Sequence, residues 1–115
     1  MQTSNFARNG SHPQAVAISV GVPPWYRGRR YLALAPDREW LDLPPDEYTP
    51  LYQARLEALD PQQVAQDLGE DAVLLCWEAP DKFCHRRLVA TWLEAALGID
   101  VPEMDATQRM MFEEE

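Results

Sequence analysis

The chain has 115 residues, the usual size of one compact domain, and its 46% of hydrophobic and 25% of charged residues exclude an intrinsically disordered protein. A net charge of −9 disfavours binding of long nucleic acid through the phosphate backbone. Two cysteines exclude a disulfide-rich scaffold, and no apolar run reaches the length of a membrane-spanning helix.

Two continuous apolar runs predict the main strands of a buried sheet. The first covers residues 15–20, between Pro13 and Gly21, and the second covers residues 72–77. Such runs are typical of parallel strands that are covered on both faces. Residues 21–45 contain several prolines and are predicted to form a long irregular segment.

Two helices are predicted between the strands. Leucines and tyrosines at helical spacing predict the first helix, which starts between residues 46 and 50 and ends near residue 58. The second helix is predicted over residues 61–68, because Asp60 suits the N-cap and Gly69 suits the position after the end.

A third helix follows the second strand. It is predicted over residues 82–97, with Asp81 as its N-cap and Gly98 as its stop, and a short strand is expected over residues 99–101. The predicted core face of this helix consists of Leu88, Val89, Trp92, Leu93 and Ala96.

This order of elements predicts an α/β fold, a small three-layer Rossmann-like arrangement with a mostly parallel sheet. We expect a single domain over residues 1–103 and an acidic, solvated tail over residues 104–115. Ligands of such sheets bind beyond the carboxyl ends of the strands, where the loops of residues 21–30 and 77–83 are expected to meet.

The second of these loops leads into the segment that carries the predicted chemistry. If Asp81 caps the helix, Cys84 lies in its first turn, where free N–H groups and the positive dipole end lower the pKa of a thiol. Cys84 is therefore a candidate nucleophile, with His85 or Glu78 moving the proton. Arg86 is the candidate anion-binding residue.

Other interpretations of the same segment stay open. Cys76 ends the strand and is expected near enough to Cys84 for a reversible disulfide, but both cysteines also suit buried structural positions. His85 shares the spacing of the buried stripe and also suits a core histidine. Cys76, Cys84 and His85 are a candidate zinc set, but adjacent ligands on one helical turn diverge, so no metal and no cofactor are predicted.

A second candidate surface is the aromatic loop that follows the first strand. Trp25 and Tyr26 alternate there with Arg27, Arg29 and Arg30, a mixture that suits stacking on a base and binding of a phosphate. Trp25, Arg27 and Arg30 are therefore candidate ligand-binding residues. The alternative is a loop that packs over the sheet edge and keeps its arginine heads in water.

Several short segments resemble the domain of unknown function 488 family. The most specific are Leu-Leu-Cys-Trp-Glu-Ala-Pro at residues 74–80 and Phe-Cys-His-Arg-Arg-Leu-Val-Ala at residues 83–90, followed by Trp-Leu at 92–93; residues 5–7, 17–19, 31–36 and 46–49 also fit. The resemblance implies a small prokaryotic or phage α/β protein. The shared site that it implies consists of Cys76, Glu78, Cys84, His85 and Arg86. It implies no activity.

Three functional hypotheses follow. The first is an enzyme in which Cys84 attacks a small anionic substrate such as a nucleotide. The second is a non-catalytic module that binds a nucleotide or a nucleic-acid end, and the third is a protein-interaction module that uses the loop of Trp25 and Tyr26. The first residues show no signal-peptide pattern, so we expect a cytoplasmic location and no membrane partner.

Overall fold

The computed structural model describes residues 1–78 and 83–104. In this part of the chain, four strands form one all-parallel sheet: β1 (Gln2–Asn5), β2 (Ala15–Ala17), β3 (Arg29–Arg30) and β4 (Val73–Cys76). Their order across the sheet is β1-β4-β2-β3. The prediction of an α/β fold with a parallel sheet is confirmed. Both predicted strands are shorter than their apolar runs, because the last residues of each run turn into the loops at the carboxyl edge.

Strands β1 and β3 were not expected from the sequence. Strand β1 carries only polar side chains, yet it pairs with the central strand β4 from Gln2↔Val73 to Asn5↔Cys76. Its buried polar side chains are hydrogen-bonded, as burial requires. Strand β3 is an exposed edge of two residues inside the predicted irregular segment.

The described residues include the three predicted helices, one of them with a different start, and a short first helix that was not predicted. They are α1 (Phe6–Asn9), α2 (Pro45–Glu57), α3 (Pro61–Leu68) and α4 (His85–Leu97). The side chain of Asp60 accepts a hydrogen bond from the N–H of Gln62 and caps α3, as predicted.

Helix α4 begins later than the sequence predicts. The predicted start and its Asp81 cap lie outside the described residues. Cys84 has extended backbone angles (φ −152°, ψ 144°) and is itself the N-cap, so the helix begins at His85. The helix stops, as predicted, at Gly98, whose φ of +67° is the left-handed conformation that glycine adopts readily.

The core face of α4 also differs from the prediction. Ala96 is exposed, and Leu88 and Trp92 are only partly buried. The buried residues of the helix are His85, Arg86, Val89, Ala90 and Leu93. Two residues with polar side chains therefore lie on the buried stripe at the start of the helix.

The strand predicted over residues 99–101 is not present. The chain instead pairs with β1 slightly later: Thr3 donates its N–H to the carbonyl of Pro102, and Met104 donates its N–H to the carbonyl of Thr3. Val101 is fully buried in the core. Met104, expected in the tail, packs against the core, and the rest of the predicted tail lies outside the described residues.

The two faces of the sheet are covered unequally. Helices α2, α3 and α4 cover one face and enclose the larger core with Val16, Ile18 and Leu74. Among the described residues, the other face carries the short α1 and the segment around Tyr26, with Val22 and Met104 packed beside them, on Val73 and Leu75 among others. None of the helices in the described ranges combines the length and apolarity needed to span a membrane.

Candidate functional site

The predicted site residues meet at the carboxyl edge of the sheet. A pocket of about 160 Å³ lies where the ends of β2 and β4 face the start of α4. Its walls are formed by Ser19, Val20, Gly21, Pro36, Arg38, Leu41, Cys76, Trp77, Glu78, Cys84 and His85. The two loops expected at this edge do touch, because the indole N–H of Trp77 donates to the carbonyl of Gly21 at 3.0 Å.

Two buried cysteines form one wall of the pocket. Cys76 ends β4 and is 1% exposed, and Cys84 caps α4 and is 6% exposed. Their sulfur atoms are joined in a disulfide, with Cα atoms 7.2 Å apart. The end of β4 and the start of α4 thus bring both cysteines to the same point.

The imidazole of His85 is oriented by the backbone of β2. Its Nε2 lies 2.6 Å from the carbonyl oxygen of Ile18. A carbonyl oxygen only accepts hydrogen bonds, so Nε2 carries the hydrogen and Nδ1 carries the lone pair. Nδ1 lies 3.7 Å from the sulfur of Cys84. The fold therefore directs an unprotonated ring nitrogen at a cysteine sulfur.

Burial sets the charge of that imidazole. It lowers the pKa of His85 to about 4; the hydrogen bond to Ile18 offsets part of this effect, and the nearby charge of Arg86 adds to it. The ring also packs edge-on against Tyr52, with centroids 5.2 Å apart. His85 is consequently neutral at neutral pH and fixed in position.

Arg86 lies beneath the cysteines rather than at the mouth of the pocket. It is 1% exposed, and its Nη1 donates to the sulfur of Cys76 and to the carbonyl of Glu78, each at 2.9 Å. Its Nε and Nη2 donate to the carboxylate of Glu103, at 3.0 and 2.7 Å. In the structure this guanidinium binds the carboxylate of Glu103.

Glu78 has two separate parts in this arrangement. Its exposed side chain lines the pocket, as a proton-transfer role would need. Its backbone carbonyl accepts hydrogen bonds from Arg86 and from the amide of Asn5, the latter at 3.1 Å. This carbonyl helps to hold the loop that leaves β4.

The arginines of the aromatic loop do not join the pocket as a group. Trp25 and Arg27 line a different pocket of about 320 Å³, together with His12. Arg29 donates to the carbonyls of Asp67 and Leu68 at the end of α3, where a cation offsets the helix dipole. Arg30 lies nearest to the site, since it donates to the carbonyl of Val20 at 2.9 Å.

Three residues of the site were missed by sequence reasoning. Asn5 lies in a segment that resembles the family, but its strand consists of polar residues, so no apolar run predicted that strand. Glu103 contributes its carboxylate from beyond α4, and Arg38 is the arginine among the residues that line the pocket. Contacts between such distant positions leave no trace in sequence spacing.

Comparisons with protein-family models, with curated proteins and with solved structures give no match to this chain. The resemblance to the domain of unknown function 488 family therefore stays a prediction.

Proposed function

We propose that this protein is a cysteine-dependent enzyme whose reduced Cys76 and Cys84 reduce small disulfides bound in the pocket and form the Cys76–Cys84 disulfide in return. The observation that carries the proposal is the pair of cysteines, which meet in the wall of a pocket at the carboxyl edge of the sheet. This edge is where α/β proteins bind ligands. The resemblance to the family supports the same location.

The order of attack follows from exposure. Cys84 is the more exposed of the two residues and lies at the N-terminus of α4, whose dipole favours a thiolate. We assign it the first attack. Cys76 is deeper and receives a hydrogen bond from the cation Arg86, which favours its anionic form at the second step. It is the resolving residue.

The half-reaction that oxidises the protein is balanced without a further oxidant, and a small thiol returns the disulfide to the two thiols. The Cys84 thiolate attacks one sulfur of a substrate R–S–S–R′, forms a mixed disulfide with R, and releases R′S⁻. The Cys76 thiolate then attacks the Cys84 sulfur, forms the internal disulfide and releases RS⁻. The protein loses two electrons to the substrate, and the two protons of its thiols pass to the two products.

The other residues take supporting parts. An imidazole with a pKa of about 4 is a weak base, so His85 orients the Cys84 sulfur and does not store the proton. The Glu78 carboxylate in the pocket wall is the candidate proton relay. Arg38 and the first N–H groups of α4 favour a substrate that carries carboxylates.

A non-catalytic binding module is the second candidate. The ion pair between Arg86 and Glu103 favours this candidate. A guanidinium that is already paired makes the site more rigid and does not make it more reactive. In that case the folded protein binds an anion near Arg38 without any sulfur chemistry, and the cysteines stay inert.

A chromogenic disulfide with two carboxylates, dithiobis-nitrobenzoate, separates these candidates. The reduced, metal-free protein is expected to release about two equivalents of thionitrobenzoate and to keep no adduct, because the internal disulfide displaces the second one. Cys76→Ser is expected to release about one equivalent and to keep a stable adduct on Cys84. Cys84→Ser is expected to react far more slowly, since Cys76 is the deeper sulfur. Absorbance and intact mass are measured together.

The same reaction contains its controls. Each variant is also assayed after denaturation, where one thiol must react at the ordinary rate. Arg38→Gln should slow the reaction with the anionic reagent but not with neutral hydroxyethyl disulfide. Exchange is ruled out if the folded wild-type protein fails to react or keeps two adducts, and faster reaction of Cys84→Ser than of Cys76→Ser reverses the order of attack.

A further inference from the structure

Three potential metal ligands converge on the wall of the pocket. Among the described residues, the sulfur atoms of Cys76 and Cys84 and a ring nitrogen of His85 all lie within 4.8 Å of one another, and all three residues are buried. Two sulfurs and an imidazole nitrogen are the donor set that Zn²⁺ prefers in proteins.

The sequence alone disfavours this set of metal ligands, because adjacent ligands on one helical turn diverge. The structure removes that objection, because Cys84 is not helical. Its backbone is extended at the N-cap, while His85 is the first helical residue, so the two side chains turn toward each other. The sulfur of Cys84 and Nδ1 of His85 lie 3.7 Å apart, a separation typical of two ligands on one tetrahedral ion.

The surroundings of the ligands also suit a metal. The hydrogen bond from Nε2 of His85 to the carbonyl of Ile18 leaves the Nδ1 lone pair free and fixes the ring, as partners of metal-bound histidines do. Arg86 donates to the sulfur of Cys76, and its charge is balanced by Glu103. Two thiolates, a neutral imidazole and Zn²⁺ sum to zero charge, which a buried position requires.

The separation of the two cysteines leaves room for an ion between their side chains. Their Cα atoms lie 7.2 Å apart, wider than in most disulfides, so rotation of the side chains can separate the sulfurs enough to bind one ion. The fourth coordination position then faces the pocket, because all three ligand residues line it.

We propose that the reduced form of this protein binds one Zn²⁺ through Cys76, Cys84 and His85, with the fourth position open to the pocket. Binding displaces the two thiol protons, and the disulfide form, in which the two sulfurs are bonded to each other, lacks two of the three ligands and does not bind the ion. Zinc therefore occupies the sulfurs that the proposed exchange reaction needs and blocks that reaction. The metal site does not depend on the exchange activity, since it requires only reduced sulfurs.

The test uses the full chain, reduced and stripped of metal, with Co²⁺ as a spectroscopic substitute for Zn²⁺. We expect one ion per chain, strong thiolate-to-cobalt charge-transfer absorption and the visible bands of a tetrahedral site. Added Zn²⁺ should displace Co²⁺ and abolish these absorption bands. The disulfide form of the same protein should show none of these signals, and this comparison needs no variant that might misfold.

Variants then assign the ligands. Cys76→Ser and Cys84→Ser should each lose most of the charge-transfer intensity, and His85→Asn should weaken binding by about tenfold or more. His12→Asn is the matched control, since His12 lines the other pocket. This variant should bind the metal as tightly as the wild type does. Circular dichroism checks the fold of each variant.

Two results overturn the zinc site. One is reduced wild-type protein without thiolate-to-cobalt absorption, and the other is equal binding by the reduced and disulfide forms, which indicates surface carboxylates instead. Neither result changes the outcome expected from the chromogenic disulfide, which is measured without metal, so the two proposals fail separately.

Discussion

Arg86 is a charged residue with almost no exposure, and it connects three parts of the chain. It joins the end of β4, the loop at Glu78 and the segment after α4 through Glu103. A buried guanidinium is stable only with its charge and its N–H groups satisfied. Its contribution to the site is therefore to hold the Cys76 sulfur in a fixed, positively charged environment.

Glu103→Gln is expected to destabilise the protein by about 3 kcal/mol, because it keeps the shape of the side chain but leaves the buried charge of Arg86 without a partner. The side chain of Glu103 is 18% exposed, so the loss should lie at the low end for buried pairs. Urea denaturation measures the change. The matched control is Asp37→Asn, which breaks the exposed ion pair with Arg55 and should cost less than about 1 kcal/mol. Equal losses in the two variants would contradict this account.

The residues of the site were predicted better than their roles. Cys76, Cys84, His85 and Glu78 meet at one pocket because strand ends and the next helix start share an edge in any parallel α/β sheet. The burial of Arg86 could be predicted from the sequence, since Arg86 precedes Val89, Ala90 and Leu93 by three, four and seven positions on one helical stripe. The carboxylate partner of Arg86 could not be predicted from the sequence, because Glu103 reaches Arg86 only in the folded chain.

At the scale of elements, the strength of the local end signals decided which boundaries were predicted. Helix α3 was placed correctly because Asp60, Pro61 and Gly69 are strong start and stop residues. Helix α4 was started too early because its true N-cap is a cysteine, which has no capping preference. Strand β1 was missed because its stability comes from pairing with β4 and not from apolar side chains.

The end of α4 offers a direct test of a local signal. Gly98→Ala is expected to cost about 1 kcal/mol, because alanine is strained at the φ of +67° although open space surrounds the position. Gly21→Ala is the control, since Gly21 has no positive φ and a Cβ there meets no atom within 4 Å. Thermal denaturation compares the two variants. A Gly98→Ala protein as stable as the control would contradict the role of this cap.

At the scale of the whole molecule, the sheet has one thick and one thin cover. Leu74 faces the core under α2, α3 and α4, whereas its neighbour Leu75 faces the cover formed by α1 and Tyr26. Both leucines are fully buried. The two leucines are equally buried but lie under covers of different thickness. We therefore expect a cavity at the two positions to cost different amounts of stability.

Leu74→Ala is therefore expected to cost about 4 kcal/mol and Leu75→Ala about 2–3 kcal/mol, because the thinner cover can move inward and fill part of the space. Urea denaturation of the two variants measures the difference. A larger loss at Leu75 would show that the thin cover is the more rigid of the two. The pair is well matched, since the residue type, the strand and the burial are the same.

The position of β1 has a consequence for how the chain acquires this structure. Gln2 pairs with Val73, and Thr3 pairs with Glu103, so the residues of β1 find their partners far along the chain. Such pairings close a long loop before they return any free energy, which slows folding. The edge of the sheet that supports Arg86 and Cys76 is thus complete only when the segment of Glu103 has docked on β1.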